Sequence, residues 1–176
     1  MATTRLISIV GRKGAGKTTL TVALLYEFVR RGKRVMTMKH GHHWGDLDKP
    51  GTDSWRHRRE GGAARVLLAG PEGRVVFEEA EDLYDPVTLA RNYLQGADIV
   101  LVEGYKRAAV PKIEIWRREL TEPLLYNPAD PLHVYWKAIV TDDEQLEAET
   151  RVIRFRDTMW LNLLASLAWE EALELT

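Results

Sequence analysis

A chain of 176 residues with 25 basic and 26 acidic side chains carries a formal net charge of −1, which argues against a whole-protein electrostatic grip on nucleic acid. Its 45% hydrophobic and 29% charged residues are the balance of a soluble globular domain with a core of its own. It has no cysteine, which removes disulfides, thiolate metal sites and cysteine nucleophiles. The apolar run in MATTRLISIV is too short for a signal peptide or membrane span, so a cytoplasmic location is expected.

The first element, RLISIV (5–10), is a β-branched run ending at a glycine and predicts a buried strand. From Lys17 the pattern turns helical, with Leu20, Leu24 and Phe28 on one face and Arg30, Arg31 and Gly32 closing it. KRVMTMKH (33–40) predicts a second strand. DSWRHRREGG (53–62) predicts a short helix with Asp53 as N-cap and Gly61–Gly62 as its stop. ARVLLA and GRVVFE, around GPEG, read as a hairpin or as a strand with an edge strand. DPVTLARNYLQG is helical with an early proline. ADIVLVEG is a fully apolar strand, and PKIEIWRR alternates like a half-exposed one. YWKAIVTDD and RVIRF predict two further strands, and an amphipathic helix closes the chain from Thr158 to Leu173. Strand and helix alternate throughout without repeat or composition break. That argues for one domain spanning residues 1–176, an α/β fold with a mostly parallel sheet and helices on both faces.

GRKGAGKT, Gly11 to Thr18, matches G-x-x-x-x-G-K-[ST] in full and lies after a strand and before a helix, as that motif requires. Its glycines let successive N–H groups point at phosphate oxygens, and the new helix adds the positive end of its dipole. Gly11, Gly14, Ala15, Gly16, Lys17, Thr18 and Thr19 are the expected triphosphate contacts. Lys17 would reach the β- and γ-phosphates, Thr18 the Mg²⁺ and Thr19 the α-phosphate. Glu103, at the end of DIVLVE, is the expected acidic partner, meeting Mg²⁺ through water or orienting a nucleophile. Lys17 and Glu103 are thus the candidate catalytic pair. The chain has no N-K-x-D guanine signature. Asp142, straight after a late strand, is placed to accept guanine N1–H and N2–H. Equally, Thr141 and Asp142 could cap a helix at DEQLEAE.

The order GRKGAGKTTL, KHGHHWGDLDKPGTDS, GGAARVLLA, VLVEGYK and PKIEIWRR resembles the molybdopterin-guanine dinucleotide biosynthesis adaptor (MobB) family, from Leu6 to about Asp142. Arg12 and Lys13 make this P-loop more basic than the family pattern. The resemblance implies a GTP-binding homodimer with slow GTPase activity, using GTP and Mg²⁺. It implies an adaptor that assists the molybdenum cofactor guanylyltransferase (MobA), with molybdopterin as a further ligand and neither nucleic acid nor membrane as partner.

KHGHHWGDLDKPGTDSW (39–55) supports two readings. His40, His42, Asp46 and Asp48 could close around Zn²⁺ or Ni²⁺, although adjacent His42 and His43 point to opposite sides of an extended chain. The favoured reading is a switch-like loop beside the nucleotide, with Asp48 or Asp53 on the hydrated Mg²⁺ and Lys39, His40, His42 and His43 facing phosphate, pterin or a partner. Lys106 and Lys112 are the expected contacts of the second basic segment. KIEIW is a candidate edge strand for a second subunit. Two other functions fit the same residues: an ATP-dependent ligase or kinase, and a metallochaperone GTPase using the histidines.

Overall fold

The computed structural model describes residues 3–41, 47–78 and 85–175. They group into two compact units, one of residues 3–40 with 85–175 and one of residue 41 with 47–78. The single-domain expectation drew no such division.

The first unit is a seven-stranded sheet. Its strands are β1 (Thr4–Val10), β2 (Val35–Lys39), β5 (Ile99–Glu103), β6 (Lys112–Trp116), β7 (Trp136–Thr141), β8 (Arg151–Arg154) and β9 (Leu173–Leu175). The order is β2-β5-β1-β6-β7-β8, every pair parallel, as expected from the sequence. β9, which the sequence pattern did not reveal, runs antiparallel to Thr4–Leu6 at the start of β1. β6 pairs with the later stretch Ser8–Val10. Because the six strands run the same way, their carboxyl ends share one edge of the sheet.

Parallel strands covered on both faces read as unbroken apolar runs. Here Ile7, Ile9, Leu101 and Ile113 pack against Leu20, Leu24 and Phe28 of α1 (Lys17–Arg30) and Leu164 and Ala168 of α4 (Trp160–Glu171). On the other face Leu6, Val100 and Val102 cluster with Ala90 of α3 (Pro86–Tyr93), Val110 and Leu175. Each fully buried Leu, Ile or Phe contributes roughly 1.5–3 kcal/mol. α1 and α4 are also pinned by a buried carboxylate. Glu27 accepts from Arg30 and Arg31, and Arg31 continues to Ser166 Oγ (3.1 Å) and the Asn162 carbonyl (2.9 Å). Those guanidinium bonds hold the Glu27 carboxyl down at about 2.

β6 departs from expectation. It is neither half-exposed nor an edge; it lies between β1 and β7, and Lys112 to Ile115 are all buried. The polar residues that mimic an exposed face are satisfied internally. Glu114 accepts the N–H groups of Leu125 (2.7 Å) and Tyr126 (2.8 Å) and Trp136 Nε1 (3.3 Å). Lys112, expected at a surface contact, is fully buried and donates to the Ala108 carbonyl. Its ammonium lies 4.7 Å from the Trp136 ring centroid and 5.5 Å from that of Tyr135. Trp136 is likewise a core residue. The expected helix at DEQLEAE does not form.

Burial pushes Lys112 down to about 8. The unfolded chain therefore holds this proton more tightly than the folded one between about 8 and the ordinary lysine value, and stability rises with pH across that window. Lys112→Met is expected to be more stable than the parent at neutral pH, by on the order of 2 kcal/mol. That advantage should shrink as pH climbs from about 8 to 10.5. Urea melts of both proteins at several pH values check this; a pH-independent difference would refute it.

The second unit contains α2 (Asp53–Arg59) and an antiparallel hairpin of β3 (Arg65–Gly70) and β4 (Gly73–Glu78). Of the two readings of ARVLLA and GRVVFE, the hairpin is the observed one. Thr52, not Asp53, occupies the N-cap position, and Asp53 is the first helical residue. Asp48 accepts from Ser54 Oγ (3.1 Å) and is ion-paired with Arg58, whose guanidinium lies over the Phe77 ring at 5.6 Å. Val66 and Phe77 form a buried cross-strand pair, while Leu67–Val76 and Leu68–Val75 are exposed pairs.

Candidate phosphate site

The loop between β1 and α1 bends on three glycines in conformations that L side chains rarely adopt, with φ of +153° at Gly11, +82° at Gly14 and +95° at Gly16. Gly11 is also sterically required. A Cβ there would stand 2.4 Å from the Ile115 carbonyl oxygen of neighbouring β6. At Gly14 the nearest atom, Leu120 Cδ2, would be 4.0 Å away. Gly11→Ala is therefore expected to cost about 3 kcal/mol or more, and Gly14→Ala about 1–2 kcal/mol from backbone strain alone. Thermal melts of the two variants test the ordering.

Lys17 opens α1 and turns back over its own loop, donating to the Arg12 carbonyl at 2.8 Å. Thr18 Oγ1 lies 3.0 Å from Glu103 Oε2 and 3.2 Å from Oε1, so hydroxyl and carboxylate share one position at the ends of α1 and β5. Lys39, at the end of β2, brings its ammonium to 3.4 Å from Glu103 Oε1. Burial lowers the Lys17 pKa; Glu103 opposes that, while Lys39 and Lys106 add to it. Lys17, Lys39 and Lys106 thus set three positive charges against the one carboxylate of Glu103, a surplus of positive charge. That surplus suits an anion carrying more than one negative charge.

The corner after β5 is tightly built. The Gly104 N–H donates to the Ile9 carbonyl (2.9 Å), Ser8 Oγ donates to the Gly104 carbonyl, and the His40 N–H donates to the Glu103 carbonyl (2.9 Å). A Cβ on Gly104 would approach His40 Cβ to 3.0 Å. Tyr105 follows at a φ of +54°, its ring 4.7 Å from that of His40. The E-G-Y-K corner thus fixes the height of Glu103 beside the P-loop, with Lys106 just beyond.

On the other flank, the segment after β6 lies along the P-loop. Arg12 Nε donates to the Pro123 carbonyl (3.0 Å), with Glu122 3.8 Å from its guanidinium. Arg12 is therefore a brace within its own chain. Asp142, expected to read a base, receives the Arg118 N–H at Oδ1 (2.9 Å) and Arg117 Nη1 at Oδ2 (3.3 Å). Burial would raise its pKa, but those bonds outweigh it and hold the carboxyl below the usual range. Each Asp142 oxygen thus has one donor from within the chain, and the residue caps no helix.

Of the residues singled out in the sequence, Thr18, Glu103 and Lys39 come together at the ends of α1, β5 and β2, and Lys17 feels the charges of Glu103, Lys39 and Lys106. Asp48 and Asp53 belong to the second unit, where the Asp48 carboxylate is held by Arg58 and Ser54. His42, His43 and Asp46 of the histidine loop lie outside the described residues. Among the described residues no group of three His, Asp or Glu could hold a metal ion. Sequence reasoning missed Arg117 and Phe155, whose only signal was position at the predicted strand ends. Glu114 falls in a segment that carries the family resemblance, but its anchoring role had no local signal.

Glycine loop, dipole end, threonine hydroxyl and strand-end acid meet at the carboxyl edge of a parallel sheet, and this arrangement is that of the P-loop NTPase-like α/β proteins. Within that class the chain belongs to the molybdopterin guanine dinucleotide synthesis protein B (MobB) family, whose family model matches residues 6–142. It is 41% identical over 120 residues to a molybdopterin-guanine dinucleotide biosynthesis adapter protein of Haemophilus influenzae, covering 68% of this chain and 67% of the relative. The adapter protein of Escherichia coli is 33% identical over 114 residues, 64% of this chain and 65% of the relative. The chain thus matches about two thirds of the length of these relatives. The crystal structure of Bacillus subtilis MobB superposes with a TM-score of 0.65 at 22% identity, covering 93% of this chain and 97% of that one. A MobB homolog from Bacillus stearothermophilus gives 0.62 with the same identity and coverage. Both likenesses speak for the fold.

Proposed function

We propose that this chain is a guanine-nucleotide-binding adapter in molybdopterin guanine dinucleotide biosynthesis, at most a slow GTPase, that assists the guanylyltransferase of that pathway. The observation that carries the nucleotide reading is the glycine loop running into α1, with Lys17 folded back over it and Thr18 Oγ1 3.0 Å from the strand-end carboxylate of Glu103. The adapter role follows the names of its relatives.

In this reading the N–H groups of residues 14 to 18 and the Lys17 ammonium hold the β- and γ-phosphates, with Thr19 at the α-phosphate. Thr18 Oγ1 and Glu103, sharing one position within 3.2 Å, fit Mg²⁺, which favours oxygen donors from one or two side chains plus phosphate. When bound, the metal would neutralise phosphate charge and stabilise the leaving group. Hydrolysis adds water to the γ-phosphorus, breaks its bond to the bridging oxygen and releases GDP and phosphate. Glu103 is already engaged by Thr18 and Lys39, so neither oxygen is left to orient a water on its own, which accords with slow turnover. Homodimer formation is supported by the β3–β4 hairpin, whose cross-strand pairs Leu67–Val76 and Leu68–Val75, one on each face, are exposed apolar side chains that a second copy could cover.

The test is calorimetric titration of metal-stripped protein with GTP and ATP analogues, each with Mg²⁺. Tighter binding of the guanine nucleotide is expected. Equal or tighter ATP binding would overturn the reading and return attention to an ATP-dependent ligase or kinase.

A further inference from the structure

Four neighbouring strands end at a single guanidinium. β1 runs into the P-loop, and a Cβ on Gly16 would lie 3.9 Å from Arg117 Nη2. β6 ends immediately before Arg117 itself. β7 ends at Thr141, and Asp142 Oδ2 lies 3.3 Å from Arg117 Nη1. β8 ends at Arg154, and the next ring, Phe155, lies 4.1 Å from the guanidinium carbon of Arg117. The guanidinium is therefore stacked on one side and ion-paired at one edge. The Arg117 and Asp142 side chains nevertheless remain 32% and 39% exposed. Phe155 is itself fixed, its N–H donating to the Thr141 carbonyl (3.1 Å) and its ring set edge-on to Trp160 at 5.0 Å.

A carboxylate offers about four lone-pair positions, and Asp142 uses one for the Arg118 N–H and one for Arg117. Two remain for a ligand with two adjacent donors. Guanine presents N1–H and N2–H side by side with the O6 acceptor next to them, so an aspartate with an arginine at its shoulder matches the whole edge. Adenine offers an acceptor at N1 and a donor at N6, opposing both groups.

We infer that Arg117 is a second base-reading residue, donating to guanine O6 while Asp142 accepts from N1–H and N2–H, with Phe155 holding the guanidinium in place. This rests on the guanine-nucleotide reading above and adds to it a residue and a division of labour. Asp142 selects for the 2-amino group and Arg117 for the 6-oxo group.

Each selectivity has its own probe. Inosine triphosphate lacks only the 2-amino group. 6-Thioguanosine triphosphate keeps both donors but replaces O6 with sulfur, a poorer acceptor. Calorimetric titrations of the full chain with Mg²⁺ and each nucleotide are expected to show the parent preferring GTP over both analogues. Arg117→Ala should lose the preference over the 6-thio analogue, about tenfold, and keep the preference over inosine triphosphate. Asp142→Ala should do the reverse. If Arg117→Ala weakens all three nucleotides by one common factor, the residue is structural and the inference fails. Arg117→Met, which keeps an apolar stem over Phe155 but has no donor for O6, replaces the alanine variant if that does not fold. A parent that binds ATP as tightly as GTP overturns the underlying reading as well. A parent with guanine preference that neither variant alters overturns this inference alone.

Discussion

Replacing Glu114 with alanine is expected to cost about 3–5 kcal/mol of folding stability, a large fraction of what a domain of this size has to lose. The carboxylate is fully buried and serves three donors: the Leu125 and Tyr126 amides and the Trp136 indole. Removing it leaves each N–H unsatisfied away from water, at roughly 1–3 kcal/mol apiece before relaxation. A cavity follows on top of that. Glutamine is no safe substitute. It retains one oxygen and presents an NH₂ to whichever donors the other oxygen served, so about half the loss should persist. Burial pushes the Glu114 pKa up against the three hydrogen bonds, so desolvation is the dominant influence on this group. Urea denaturation of both variants measures the effect, and a loss below about 1 kcal/mol for alanine would show that the 117–135 segment is held elsewhere. The residue matters for the site because the same segment carries Arg117, the Arg118 amide on Asp142 and the Pro123 carbonyl on Arg12.

Glu114 also shows why part of the fold was hidden in the sequence. KIEIW alternates charged and apolar residues, and period-two alternation is the signature of a strand with one wet face. Lys112 and Glu114 instead meet partners 4 to 22 positions away in the chain, and no local pattern announces that pairing. β1, the P-loop and α1 were legible for the opposite reason. Their signals are short-range: an apolar run, glycines at fixed offsets and a helical stripe. The family resemblance rested on the P-loop together with the histidine loop, GGAARVLLA, the E-G-Y-K corner and PKIEIWRR, taken in order. β9 is only three residues long and owes its pairing to β1 at the far end of the chain, so nothing in its composition marks it. At Asp142 the position after a strand was readable, whereas the arginine and amide that hold it come from residues 24 and 25 positions earlier.

Lys17→Ala is the substitution with the largest expected effect on binding, a loss of at least about 100-fold in affinity for GTP with Mg²⁺, or about 2.7 kcal/mol. The fold should barely notice. The ammonium bonds only to the Arg12 carbonyl among the described contacts, a net contribution of about 1 kcal/mol. Ligand binding is different because Lys17 combines position and charge. It sits at the positive end of α1, partly removed from water, with Glu103 beside it and Lys39 and Lys106 adding to the local field. A bound triphosphate would relieve the repulsion among these ammonium groups, which among the described residues Glu103 offsets. Lys39, 66% exposed at its side chain, is better screened, so Lys39→Ala should cost only about threefold to tenfold. The Lys39 effect should fade in high salt more completely than the Lys17 effect, since screening acts on exposed charges first. Calorimetry of the two variants at low and high ionic strength separates these contributions, with circular dichroism to show that both are folded. A Lys17→Ala protein that binds GTP as tightly as its parent would mean that the loop's positive charge serves another ligand.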